Sequence, residues 1–318
     1  KMVKLRLERE VQEYPEIVTL MKALTEDGRY SFVFSGSMLG TEFKGISSFP
    51  VGYIEQLVMR PMDFEEFCWA VGVEQRFLDQ VMQTLLVRQY AQDIGKYAGN
   101  RAFEVRAIFD QIPVQLEGAA HRFKLSSLRD AARIESFHHD FLWLVNAGVG
   151  LQVLQTTEAR CPLKRTEQAS KFKLYESDTG MLVSRYPQST ARSIYLDMKD
   201  PNLGGVYENV VAQELAAQDV PLWYYQSEQA GEVDFLMEGK SGNVVPIEVK
   251  SGKKVRAHAA LDHLLGIRDY KIPEALVLSR NNLSQEGKVT YAPLYMTFCL
   301  DELTEESAGD FSFAPALP

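Results

Sequence analysis

Two stretches late in the chain alternate apolar and charged residues with a period of two, the signature of half-buried strands. The first is Glu232-Val-Asp234-Phe-Leu and the second is Val245-Pro-Ile247-Glu248-Val-Lys250. Alternation puts Val233 and Phe235 on one face and Glu232 and Asp234 on the other. It also sets Val245, Ile247 and Val249 against Glu248 and Lys250. The segment between them, Glu238-Gly-Lys-Ser-Gly-Asn243, is rich in turn formers, so the pair reads as a hairpin. Such a hairpin brings Asp234 beside Glu248 and Lys250. Upstream, Tyr207 to Leu215 has helical spacing, with Glu208 on the same stripe as Val211, Ala212 and Leu215. A carboxylate on that inward stripe is costly unless something satisfies it.

The N-terminal part alternates helix and strand patterns. Glu16 to Leu24 reads as an amphipathic helix after Pro15. Tyr30 to Phe34 reads as a buried strand ending in Ser35-Gly36-Ser37, polar residues at a strand's carboxyl end, where α/β proteins place ligands. Ile54 to Arg60 reads as a further strand. Pro61 then opens a helix with Asp63 and Glu66 spaced as a capping box. Phe77 to Tyr97 is helical, and Phe103 to Leu116 is helix-rich but broken at Pro113. A helix pair, Leu125 to Ala132 and Glu135 to Ala147, ends at Gly148 and leads into a strand over Val149 to Thr156. Helix, helix, strand is compatible with a winged-helix module in which Arg129, Arg133, His138 and His139 face DNA. Packing between neighbouring domains explains the same pattern. Residues 158 to 170 read as a loop or wing.

Composition narrows the class. The chain has 318 residues, enough for two or three domains. No apolar run approaches the ~20 residues of a membrane helix. Cys68, Cys161 and Cys299 are isolated and odd in number, which argues against a disulfide framework or a zinc site and fits a reducing cytoplasm. The net charge of −9 disfavours a generic nucleic-acid binder. Basic charge is local, however: Lys250, Lys253, Lys254, Arg256, Arg268 and Lys271 face only three acids between Glu248 and Lys271. This segment is either a solvated face or a phosphate contact led by Lys253, Lys254 and Arg256.

The hairpin residues suit one chemistry above others. Asp234 and Glu248 are hard oxygen ligands for Mg²⁺, which neutralises phosphate charge and acidifies a water. Lys250 beside the metal stabilises the transition state or positions that water. The pattern Asp-x(13)-Glu-x-Lys resembles the active-site hairpin of the PD-(D/E)xK nucleases, the restriction-endonuclease-like fold. That resemblance implies Asp234 and Glu248 as metal ligands, with Glu208, Asp234, Glu248 and Lys250 as the catalytic set. Many domains of this fold bind nucleic acid without cutting it.

A wider resemblance covers residues 10 to 298. Glu10-Val-Gln12, Phe34-Ser-Gly-Ser37, Met59-Arg60-Pro61-Met-Asp-Phe-Glu-Glu-Phe67, Lys173-Leu-Tyr175-Glu-Ser-Asp178-Thr-Gly180 and Gly205-Val-Tyr-Glu208 occur in the order seen in AAA-type ATPases bearing a C-terminal "domain of unknown function 4143". The resemblance implies ATP as cofactor, with Glu10 acting on the attacking water and Ser37 sensing the γ-phosphate. The chain departs from the pattern at three places. It has no G-x-x-x-x-G-K-[ST] loop, and Gly239-Lys240-Ser241 lacks the leading glycine. Arg9-Glu10 stands where the family has Asp-Glu. A Gly-Gly-Met-Pro turn expected near residues 73 to 78 is missing.

The resulting expectation is an α/β protein of three parts. Residues 1–72 form a partial AAA-type P-loop domain, 73–165 a helical or winged-helix domain, and 166–318 a PD-(D/E)xK nuclease-like domain. The function it implies is an ATPase coupled to a DNA-binding, Mg²⁺-dependent nuclease-like domain. The alternative is a non-catalytic regulatory ATPase that binds nucleic acid or a protein partner.

Overall fold

A computed structural model describes residues 4–8, 15–35, 57, 59–62, 66, 70, 80–118, 122–128, 136–195, 203–239, 241–252 and 254–300. In chain order the elements are β1 (Lys4–Glu8), α1 (Pro15–Asp27), β2 (Tyr30–Phe34), α2 (Gln80–Tyr97), α3 (Ala102–Leu116), α4 (His138–Asn146), β3 (Gly150–Thr156) and β4 (Glu167–Glu176). They continue with α5 (Thr179–Ser184), α6 (Gln188–Tyr195), α7 (Gly204–Ala217), β5 (Trp223–Ser227), β6 (Gly231–Glu238) and β7 (Val244–Val249). The last are α8 (Ala259–Gly266), β8 (Ala275–Ser279), β9 (Ser284–Glu286) and β10 (Val289–Pro293).

The protein is α/β, and its centre is one mixed sheet in the order β4-β3-β5-β6-β7-β8-β10-β9. β7 lies inside it between two neighbours, with all six residues buried, Glu248 among them. The larger core joins Phe109 and Ile112 of α3, Phe141 and Leu144 of α4, and Val211 and Leu215 of α7 to Val153, Phe235, Ile247 and Leu276 of the sheet. A second core lies across the sheet, where Leu261 and Leu264 of α8 meet Val233, Leu236, Val244 and Val277. α7 starts hard against α3: a Cβ on Gly205 would collide with the Leu116 carbonyl, so only glycine fits.

Several elements differ from the sequence reading. β3 pairs antiparallel with β4 and parallel with β5, so it is an internal strand of this sheet and not the strand of a separate winged helix. The sheet therefore runs through the expected boundary at residues 165/166. Arg129 and Arg133 lie outside the described residues, and His138 and His139 are exposed at the start of α4. β2 forms, in parallel with β1, but none of its residues is buried. The described residues 57 and 59–60 are not strand.

Pro113 does not break α3, which runs through it. Proline removes the N–H that would bond the carbonyl four residues back. That carbonyl belongs to Phe109, and Arg185 donates Nη2 to it at 2.7 Å. The guanidinium also lies 4.2 Å from the Phe109 ring centroid and 2.8 Å from Glu176. A cation from α5's C-cap thus supplies the missing donor.

Candidate functional site

The sheet is irregular at Asp234. Trp223 pairs with Leu236 but Tyr225 pairs with Val233, so Asp234 and Phe235 together oppose Tyr224 in a β-bulge. Strict alternation fails here: Val233 belongs to the second core and Phe235 to the larger one. The bulge turns Asp234 toward α7 and β4. Its Oδ2 accepts the Val249 backbone N–H at 2.8 Å, so the carboxylate fills a gap in the ladder between β6 and β7.

The group that meets Asp234 is Lys173 of β4. Its side chain is fully buried, and its Nζ lies 2.8 Å from Glu232, 3.2 Å from Glu208 and 3.6 Å from Asp234. Tyr175, two residues along the same strand face, donates its hydroxyl to Glu208 Oε2 at 2.5 Å. The Tyr224 ring lies 5.3 Å from the ammonium. Burial pulls the Lys173 ammonium down, but Glu208, Tyr175, Asp234 and Glu232 together hold it well above the usual lysine range. Lys173 is therefore a permanent cation. Burial and then Glu208 push the Tyr175 phenol well up, so it remains a donor.

Glu248 and Lys250 form a separate pair. Glu248 is in register with Val277, which belongs to the second core, while Ile247 and Val249 enter the larger one. Glu248 therefore leaves β7 on the face of the second core, yet within electrostatic reach of Glu208 and Lys173. Its Oε1 accepts Lys250 Nζ at 2.6 Å, and its Oε2 is buried without a hydrogen-bond partner. The expected single sheet face carrying Asp234, Glu248 and Lys250 is thus split in two by the bulge. The two parts still sense each other. Burial raises the Asp234 carboxyl well above its ordinary range, and Glu208 and Glu248 raise it further. Burial raises Glu248 too, against the pull of Lys250.

As arranged here, one oxygen of each carboxylate is engaged by the protein itself. Mg²⁺ needs open carboxylate oxygens converging at one point. Here Glu208 Oε2 is taken by Lys173 and Tyr175, Asp234 Oδ2 by Val249 and Glu248 Oε1 by Lys250. Among the described residues no group of three His, Cys, Asp or Glu side chains is arranged to hold a metal. The sequence reading missed Lys173 and Glu232. The available signal was Lys173-Leu-Tyr175, a charged and a hydroxylated residue sharing one face of a strand.

The basic segment after β7 is partly visible. Lys254 and Arg256, with Val255, Ala257 and Asn281, line an open cleft of about 490 Å³ at the carboxyl ends of β7 and β8. Arg256 is largely exposed and lies 3.3 Å from Glu286. Lys253, like Glu10 and Ser37, lies outside the described residues.

Family comparisons divide the chain into three segments. A model described as "AAA domain" matches residues 10–68. One described as "Domain of unknown function (DUF8612)" matches 68–191, and one described as "Domain of unknown function (DUF4143)" matches 203–296. Residues 10–68 are thus similar to an AAA domain, and residues 203–296 to DUF4143. No curated protein and no solved structure matches it. Lys173 belongs to the DUF8612 segment, while Glu208, Glu232 and Asp234 belong to DUF4143, so the buried ion cluster joins the two. Among the described residues no helix is long and apolar enough to cross a membrane.

Proposed function

We propose that this chain is a regulatory AAA-type protein whose C-terminal domain holds DNA without cutting it. The observation that carries the reading is Lys173: its ammonium occupies the centre of the acidic group that a nuclease would keep open for metal. A fixed internal cation supplies charge neutralisation but no exchangeable water, so the step that generates a metal-bound nucleophile has no place here.

The cation-lined cleft of Lys254 and Arg256 supports DNA as the partner, through sequence-independent phosphate contacts. Lys253 would extend it. Such binding is salt-dependent, with a slope of about 0.9 in log K per log salt for each phosphate contact on duplex DNA.

The test combines binding and cleavage on the full chain. Duplex DNA binding is measured by fluorescence anisotropy from low to physiological salt, for the parent and for a Lys253→Ala, Lys254→Ala, Arg256→Ala variant. Supercoiled plasmid with Mg²⁺ or Mn²⁺ reports cutting. The proposal expects binding that weakens and loses salt slope in the triple variant, and intact plasmid. Metal-dependent nicking that disappears in Asp234→Asn would establish the nuclease reading instead. DNA affinity unchanged by the triple variant would remove this cleft, and a protein partner would become the better reading.

A further inference from the structure

The second half of α7 carries a contact of a different kind, between the AAA-type segment and the C-terminal domain. Gln213 uses both ends of its side-chain amide. Its Nε2 donates to the Met62 carbonyl at 3.1 Å. Its Oε1 accepts the Thr179 backbone N–H at 2.8 Å and the Thr179 hydroxyl at 2.9 Å, at the first residue of α5. Just beyond α7, Asp219 forms an ion pair with Arg60. Arg60 and Met62 lie within the AAA domain match, and Gln213 and Asp219 within DUF4143.

The neighbouring side chains of α7 continue the chain of bonds inward. Asn209 donates to the Thr179 hydroxyl at 2.9 Å and to the Glu176 carbonyl at 3.0 Å, and accepts the Glu176 N–H at 2.8 Å. Glu176 holds Arg185, and Glu208, next to Asn209, holds Lys173. The Met62 carbonyl is thus three side chains from the end of β4. Among the described apolar side chains of this segment, Leu57 and Met59 are more than four-fifths exposed and Met62 is half exposed. Polar contacts of this kind, beside apolar side chains left exposed, suit an interface that forms and releases.

We propose that α7 is the docking surface for the AAA-type segment around residues 60–62, with Gln213 as the joint that couples docking to the order of α5. The inference does not depend on whether the C-terminal domain binds DNA or cuts it.

Hydrogen exchange read by mass spectrometry on the full chain tests it, with peptides covering residues 57–62 and 179–184 as the two readouts. Asp219→Lys removes the ion pair at an exposed position and leaves Thr179 untouched. Gln213→Glu keeps an acceptor for Thr179 but sets a carboxylate against the Met62 carbonyl. Either change is expected to speed exchange in both peptides by about two- to fivefold, the scale of an exposed ion pair. Arg60→Glu combined with Asp219→Lys is expected to restore both rates. Faster exchange in 57–62 with 179–184 unchanged would leave docking without coupling and overturn the proposal. So would unchanged rates in both peptides, or a charge swap that restores neither.

Discussion

Lys173 Nζ and Glu208 Oε2 face each other at 3.2 Å inside the protein, one from the DUF8612 segment and one from DUF4143. The lysine is wholly buried and the glutamate nearly so. A buried pair of this kind is held by geometry and additional hydrogen bonds, since desolvation offsets most of the Coulombic attraction. Tyr175 on Glu208 and Glu232 on Lys173 supply those bonds. The pair therefore specifies how β4 and α7 meet more than it adds stability.

Removing the cation exposes that dependence. Lys173→Met should cost up to about 3–5 kcal/mol, because buried Glu208 and half-buried Glu232 and Asp234 are left without their cation. The loss should shrink as pH falls and the acids take up protons. Lys173→Ala, which leaves more room, should in addition gain stabilisation by Mn²⁺ that the parent lacks. Urea unfolding of the three proteins with and without Mn²⁺ decides. A parent that Mn²⁺ stabilises as strongly as the alanine variant would show that Lys173 is not the internal substitute for a metal.

Tyr175→Phe tests the second bond on Glu208. Its hydroxyl donates to a charged, buried acceptor at 2.5 Å. Loss of a hydrogen bond to a charged group costs about 1.5–3 kcal/mol, measured as a fall in the urea midpoint at constant m-value. A change within error would mean that Lys173 alone satisfies Glu208.

The chain is expected to hydrolyse ATP no faster than background. It has no Gly-x-x-x-x-Gly-Lys-[Ser/Thr] loop, hence no row of backbone N–H groups and no lysine to cradle the phosphates. A phosphate-release assay with Glu10→Gln as control is the check. Turnover abolished by that variant would show that the phosphates are held by residues outside any such loop.

The legible parts of the fold were those set by local pattern. The hairpin 231–249 declared itself through alternation and the turn formers between its strands. α7 was legible through its apolar spacing, and Glu208 through its place on that stripe. What stayed hidden depends on contacts between distant segments. The bulge at Asp234 and Phe235 exists only relative to Tyr224 of β5, and it splits the site that strict alternation had placed on one face. Lys173 meets its acids only because β4 lies next to β3 at the edge of the same sheet. Pro113 reads as a breaker until Arg185, 72 positions later, supplies the donor that the helix lost.

Glu176 should make stability fall as pH rises toward neutrality. Burial lifts its carboxyl from an ordinary 4.5 to about 7, against the opposing pull of Arg185. One of its oxygens, Oε1, is buried without a hydrogen-bond partner. Because the folded state holds the proton more tightly than the unfolded chain, this contribution is fully present below pH 4.5. It is lost as pH rises through about 7. The full span corresponds to about 3 kcal/mol at 1.36 kcal/mol per unit. Asp234 and Glu248 are raised as well and act in the same sense, so the parent's slope alone does not isolate Glu176. Glu176→Gln does, since the amide oxygen still accepts from Arg185 but cannot titrate. Between pH 5 and pH 8 the parent should lose stability relative to this variant, with most of the divergence below pH 7. Urea midpoints at four pH values across that range provide the measurement. Parallel profiles would mean that Arg185 keeps Glu176 ionised throughout, and that the buried pair carries its full charge at every pH tested.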